Sequence, residues 1–388
     1  MLSLFKKDGE EKKVEYIELI YDLIFVYIIG RNNSIIHSIE NGFIAPTAVL
    51  TYILSTLVIL QVWYSTVMFI NKYGENGWQE NIAIFINMYL LYYMADGTRA
   101  DWQAFYVRYN VAWMLILCNL ALQYVIKLKK SVLAMPWVNS HIKRNILILL
   151  VQAVIVGVSI PLYHLTGIPF APSAMVVGML LFGLSKKANT LVAGDFSHLT
   201  ERIMLYVVFT FGEMIIGIAE YFEGGFSFNT VYFSVMAFLI VVGLFVSYGF
   251  VYDNVIDREM ETTGTAYMLI HVFLITALNN ITVALEFMRM PEVAAIPKNI
   301  FIGVSMIVYF FFLFSTEKYA FVRCRAHLRF YVTVGVMTVI FCLLMLFLYQ
   351  NAYLSIAVTV LYIYSVFAYL YQSVKRTQRE AGRIADQS

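Results

Sequence analysis

The sequence predicts an all-α polytopic membrane protein of about twelve transmembrane helices, arranged as two parallel six-helix repeats. Three observations carry that prediction. Of 388 residues, 61% are hydrophobic and 13% charged, with a mean hydropathy of +0.73. A soluble domain is closer to half apolar and a quarter charged. Apolar runs of about 20 residues, the length that spans a bilayer, recur along the whole chain and lack the strict alternation of a β-barrel. Lysine and arginine fall unevenly between alternate connections.

This composition excludes a single soluble globule, a disordered chain and a nucleic-acid binder. The net charge of +2 reports no charged partner. Cys118, Cys324 and Cys342 form no CxxC pair and lie near no histidine cluster, which argues against a disulfide framework and a structural zinc site. No metal and no cofactor is implied. The opening MLSLFKKDGEEKK is polar and does not read as a cleaved leader.

Taken in order, the apolar runs fall at about 15–37, 46–70, 80–97, 104–126, 143–163, 171–187, 199–221, 229–251, 264–288, 298–316, 328–349 and 352–373. With the N-terminus inside, 22 of the 27 Lys and Arg residues lie on the inner side, while Arg31, Arg99, Arg108, Arg289 and Lys298 lie outside. Such a bias sets orientation in bilayers. It predicts an even number of spans and both termini in the cytoplasm of a cell membrane. Trp78, Trp102 and Trp137 fall near span ends, as interfacial aromatics do.

The first and seventh runs align without gaps, Glu18 falling on Glu201 and Gly30 on Glu213. The expected organisation is a cytoplasmic segment 1–14, a six-helix half 15–187, a second half 188–373 and a cytoplasmic tail 374–388. Two halves entering from the same side make a parallel repeat.

A charge in hydrocarbon costs roughly 3 to 10 kcal/mol or more, so intramembrane polar residues need a reason. Glu18 and Asp22 lie four apart on one helical face. If both are ionised they repel, so one holds a proton or finds a cation; Lys12 and Lys13 are the nearest cations in sequence. Arg31 follows in the same run. The gapless overlay sets it next to the position of Glu213, which predicts an ion pair between halves. The seventh run opens Asp195-Phe-Ser-His198-Leu-Thr-Glu201-Arg202. There Ser197 or Thr200 suits an N-cap and Glu201 the first turn. Glu213 lies deeper, beside Gly212, where a small residue lets a neighbouring helix approach. In the ninth run Asn279, Thr282, Glu286 and Arg289 form a helical stripe, and His271 sits in an apolar stretch. His271 is either a satisfied core histidine or a proton relay. Trp63 and Tyr64, with Gln61, Ser65 and Thr66, suit a cavity wall or simple packing.

Two of these segments resemble the bacterial low-temperature-requirement A family. Glu18-Leu-Ile-Tyr-Asp22-Leu-Ile-Phe-Val26 is similar to the family's E-L-F-F-D-L-V-F-V. His198-Leu-Thr-Glu201-Arg202 followed by Phe211-Gly212-Glu213 is similar to its H-x-x-E-R … G-E segment. Met214 stands where the family often has serine. The resemblance covers nearly the whole chain. It implies an integral membrane protein linked by name to growth in the cold, with no defined substrate.

The expected function is a secondary transporter, proton-coupled, moving a small molecule or ion of unknown identity across the lipid bilayer. Asp22 and Glu213 are the expected carriers, and His271 and Asn279 the groups that bind or relay. The full set of pathway candidates is Glu18, Asp22, Arg31, His198, Glu201, Arg202, Glu213, His271, Asn279 and Glu286. A membrane-embedded enzyme acting on lipid is the alternative. No HExxH, GxSxG, Walker loop, GxGxxG or Asp-rich metal motif supports it. A channel or sensor without turnover is the third reading, and no repeated pore loop supports that. The sequence does not set the oligomeric state.

Overall fold

The computed structural model describes residues 13–96, 102–130, 135–183, 192, 194–222 and 226–385. Lys6, Lys7, Lys12, Arg99, Lys186 and Lys187, and the far end of the sixth run, lie outside them.

Among the described residues there are twelve α-helices: α1 (Tyr16–Asn32), α2 (Pro46–Tyr73), α3 (Trp78–Asp96), α4 (Trp102–Lys130), α5 (Pro136–Thr166), α6 (Pro172–Gly183), α7 (Phe196–Gly217), α8 (Phe228–Asn254), α9 (Thr265–Arg289), α10 (Ala295–Ser315), α11 (Leu328–Phe347) and α12 (Ala352–Ala385). Each expected run falls on one helix. The starts follow local chemistry. Pro46 and Pro136 occupy first-turn positions, where a missing N–H costs nothing. Ser227 caps α8, its Oγ accepting from Thr230 N at 3.1 Å.

Among the described residues, ten helices have the length and apolarity of a span, where the sequence predicts twelve. The described part of α6 has 12 residues, about 18 Å at about 1.5 Å per residue, short of a hydrocarbon core of roughly 30 Å. The other exception, α3, begins Trp78-Gln-Glu-Asn and is diluted by Asn87, Tyr89, Tyr92 and Tyr93. Its outward face is still apolar and aromatic, with Ile82, Phe85 and Ile86 exposed.

The described residues divide into two compact units. The first takes in residues 13–38, 44–206 and 261–265. In it α1 packs on α2 and α3, α4 on α3 and α5, and α6 on α2 and α5. The core includes Tyr21, Phe25, Trp63, Trp113 and Tyr206. The second unit takes in residues 39–43, 207–260 and 266–385. In it α12 packs on α8 and α11, and α10 on α11. Most of α9 is buried. On the perimeter, α11 turns Val332, Val336, Val339, Ile340 and Leu343 outward. In water such a face would be a liability; in a bilayer it meets acyl chains.

Without a hydrophobic drive between helices in lipid, close packing needs small residues at crossings. Gly243 of α8 is one. A Cβ there would lie 2.7 Å from Ile363 Cγ2 and 3.1 Å from the Tyr364 ring of α12. Gly243→Leu is therefore expected to force α8 and α12 apart and cost about 1–3 kcal/mol. A lowered melting temperature in detergent checks this, and Gly335→Leu, whose Cβ enters open space, serves as the control.

Candidate functional site

In the first unit, α1 and the N-terminal turns of α7 each present an i, i+4 pair to the same point. Glu18 and Asp22 come from α1, His198 and Arg202 from α7. Asp195 starts α7 as its N-cap: its carboxylate accepts from His198 N at 3.1 Å, while its carbonyl accepts from Leu199 N at 3.0 Å. The cap is thus neither Ser197 nor Thr200. Thr200 instead donates to Ser197 O at 2.9 Å.

Arg202 grips Asp22 with a two-pronged fork. Its Nε donates to Oδ2 at 3.0 Å and its Nη2 to Oδ1 at 2.9 Å. The third prong, Nη1, donates to Glu18 Oε2 at 3.0 Å. Trp63 Nε1 of α2 adds a bond to Asp22 Oδ1 at 2.9 Å. The indole is held flat by Tyr206, stacked at 4.4 Å between ring centroids. Glu18, Asp22, His198, Arg202 and Trp63 are all at most 1% exposed. The cation the two carboxylates need is therefore Arg202, which a count of basic residues by sequence position assigns to the inner surface.

His198 Nε2 lies 3.2 Å from Glu18 Oε2. Its tautomer follows from its neighbour. Asn71 Nδ2 donates to the Asp195 carbonyl at 2.7 Å, which fixes that amide's orientation. The same NH2 group lies 3.2 Å from His198 Nδ1. A donor there makes Nδ1 an acceptor, so Nε2 carries the proton and turns it toward Glu18. The line from Nε2 to Glu18 is short but off the axis of a hydrogen bond. Gly194 makes room for Asn71: a Cβ at that glycine would fall 2.0 Å from Asn71 Oδ1.

Two carboxylates and one guanidinium meet here in a site cut off from water. The Coulomb term is large there, because an unscreened interaction at 3–4 Å grows several-fold as the local dielectric falls.

The other candidates lie elsewhere. Glu201 is exposed and turned away from the cluster that its neighbour Arg202 completes. Arg31 lies in the first unit and is exposed. In the second unit, Glu213 is half-buried and its charged neighbour is Glu286 of α9, a like charge. The close approach of α7 to α9 is at Gly217, where a Cβ would lie 2.8 Å from Thr282 Cγ2; Gly212 faces open space. Beyond it Arg289 Nη1 donates to Glu220 Oε2 at 3.0 Å, the guanidinium lying over the Tyr221 ring. His271 has both ring nitrogens engaged: Nδ1 donates to Tyr267 O at 2.8 Å, and Nε2 accepts from Tyr248 OH at 3.3 Å. Asn279 donates back to Ile275 O of its own helix at 3.1 Å.

Sequence reasoning missed Asn71 and Tyr206. Asn71 lies one residue past the expected end of the second run, yet α2 continues to Tyr73. Tyr206 is one of 28 tyrosines, and only its position one turn after Arg202 singles it out.

Long helices with lipid-suited faces, together with a charge cluster sealed inside one unit, define a polytopic membrane protein of the kind that carries intramembrane ion pairs. More specifically, the chain belongs to the family of the bacterial low temperature requirement A protein (LtrA), whose model matches residues 13–366. Neither the curated proteins nor the solved structures include a match to it.

Two outcomes are expected of the cluster. Arg202→Ala leaves two buried carboxylates without their cation and should cost about 3–5 kcal/mol. Asp22→Asn combined with Arg202→Met should recover part of that loss, giving a non-zero coupling term in detergent melting curves. Gly194→Ala should displace the Asn71 amide and cost about 1–3 kcal/mol. Adding Asn71→Ala to Gly194→Ala should then produce little further loss in the same assay.

Proposed function

We propose that the chain is a secondary transporter coupled to proton movement, with the α1–α7 cluster as its protonation site. One observation carries the reading: two fully buried carboxylates four residues apart meet the same guanidinium and hold unequal shares of it. Asp22 receives three N–H bonds and is served as an anion on both oxygens. Glu18 takes the remaining prong of Arg202 and lies 3.2 Å from His198 Nε2, and in this reading it is the carboxyl that exchanges a proton, with His198 as its partner. Intramembrane ionisable groups of this kind mark proton and ion pathways. Glu213 and Glu286 supply a second pair of like charges, in the second unit, where a proton or cation relieves repulsion.

The reading includes two parallel six-helix halves and both termini in the cytoplasm, supported by the gapless overlay of the first and seventh runs and by the Lys and Arg distribution. The substrate is a small molecule or ion. Proton-driven flux into liposomes tests the reading against a panel of labelled solutes. Glu18→Gln should abolish the coupling to pH while the protein remains folded. Infrared difference spectra between acidic and neutral pH should contain a protonated carboxyl band that Glu18→Gln removes and Glu201→Gln retains.

A second reading rests on the saturation of Asp22: the fork and Trp63 make a clamp that fastens α1 and α2 to the start of α7. A clamp alone predicts a lower melting temperature for Glu18→Gln, no carboxyl band and unchanged proton uptake in the folded fraction.

A further inference from the structure

Between α10 and α11, within the second unit, lies a groove of about 470 Å³. Cavities of roughly 300–1,000 Å³ hold small ligands. Its walls are Phe311 and Phe314 on one side and Tyr331, Gly335 and Thr338 on the other, with Lys318 at its mouth. The α11 residues recur at one-turn spacing, so a single helical stripe forms that wall. Gly335 has no heavy atom within 4 Å of where its Cβ would be, which leaves the groove deep at mid-wall. The hydroxyls of Thr338 and Ser315 are already engaged. Thr338 Oγ1 donates to Val334 O at 2.8 Å and Ser315 Oγ to Phe311 O at 2.7 Å. What remains for an occupant is apolar surface, in helices that face hydrocarbon.

The mouth has a definite charge. Lys318 is exposed, its Nζ resting 5.8 Å above the Tyr319 ring. Arg325 and Arg329, in and just after the connection between the two helices, are also exposed. Glu317, which lines the groove, accepts from Ala326 N and so ties down the connecting loop. Three exposed basic side chains, Lys318, Arg325 and Arg329, thus stand at this end of the two helices, where they leave the apolar region.

We propose that this groove seats one acyl chain of an anionic phospholipid, whose phosphate meets Lys318, with Arg325 and Arg329 supplying the surrounding positive field. Shape and charge both select this occupant. A helix from a second copy is about 10 Å or more across, too wide for a slot between two adjacent helices. A zwitterionic lipid gains nothing from the basic rim, whereas an anionic one gains about 1 kcal/mol for each basic residue near its headgroup.

The test uses the full-length protein, delipidated in detergent and titrated with phosphatidylglycerol or phosphatidylcholine, with bound lipid read by native mass spectrometry. A phosphatidylglycerol adduct is expected in preference to phosphatidylcholine. Lys318→Glu should reduce it by at least about fivefold, the scale of one basic contact. Gly335→Leu, which fills the slot without touching the charge, should reduce binding of both lipids. Equal binding of the two lipids, indifference to both substitutions, or a shift to twice the chain mass in place of a lipid adduct would each overturn the proposal.

Discussion

The fork between Arg202 and Asp22 is the interaction on which the first unit depends. It joins two helices that are 180 residues apart in sequence. It also lets ionisable side chains gather in a region where one lone charge costs several kcal/mol. Each of its neighbours serves it. Trp63 completes the coordination of Asp22, Tyr206 holds the indole, and Asn71 sets the histidine tautomer. Removal of Trp63 or Asn71 leaves a buried polar group short of a partner, which is more costly than never having placed the pair there.

The cluster combines rigidity with unequal occupation. Asp22 is surrounded by donors, whereas Glu18 holds one prong of Arg202 and lies beside His198. A symmetrical arrangement would serve only as a staple. An asymmetrical one gives the two carboxylates different tasks, as environments that separate neighbouring acids generally do. The second unit shows a contrasting use of polar residues. His271, Asn279 and Thr282 return their bonds to their own or adjacent helices and close the ledger locally. Glu213 and Glu286 instead keep like charges near each other.

The helices themselves were legible in the sequence, because a bilayer imposes one requirement on every residue of a span. Backbone groups must bond within the segment and side chains must tolerate hydrocarbon. Twelve apolar runs gave twelve helices. The requirement says nothing of short or diluted segments, and the count of full-length spans among the described residues accordingly drops at α3 and α6. The i, i+4 spacing of Glu18 and Asp22, and of His198 and Arg202, was equally visible, since helical periodicity alone puts each pair on one face.

Composition, periodicity and the spacing of charged residues thus determined the membrane environment, the helices and the two acidic and basic pairs. That the pairs meet each other was decided only by the tertiary structure. Nothing local to α1 specifies Arg202 as its cation in preference to Lys12 or Lys13. Nor does anything local to α7 turn Arg202 inward and Glu201 outward, although the two are adjacent. Contacts across 180 residues depend on how whole helices pack. Packing is a property of summed surfaces, to which each residue contributes without revealing its partner.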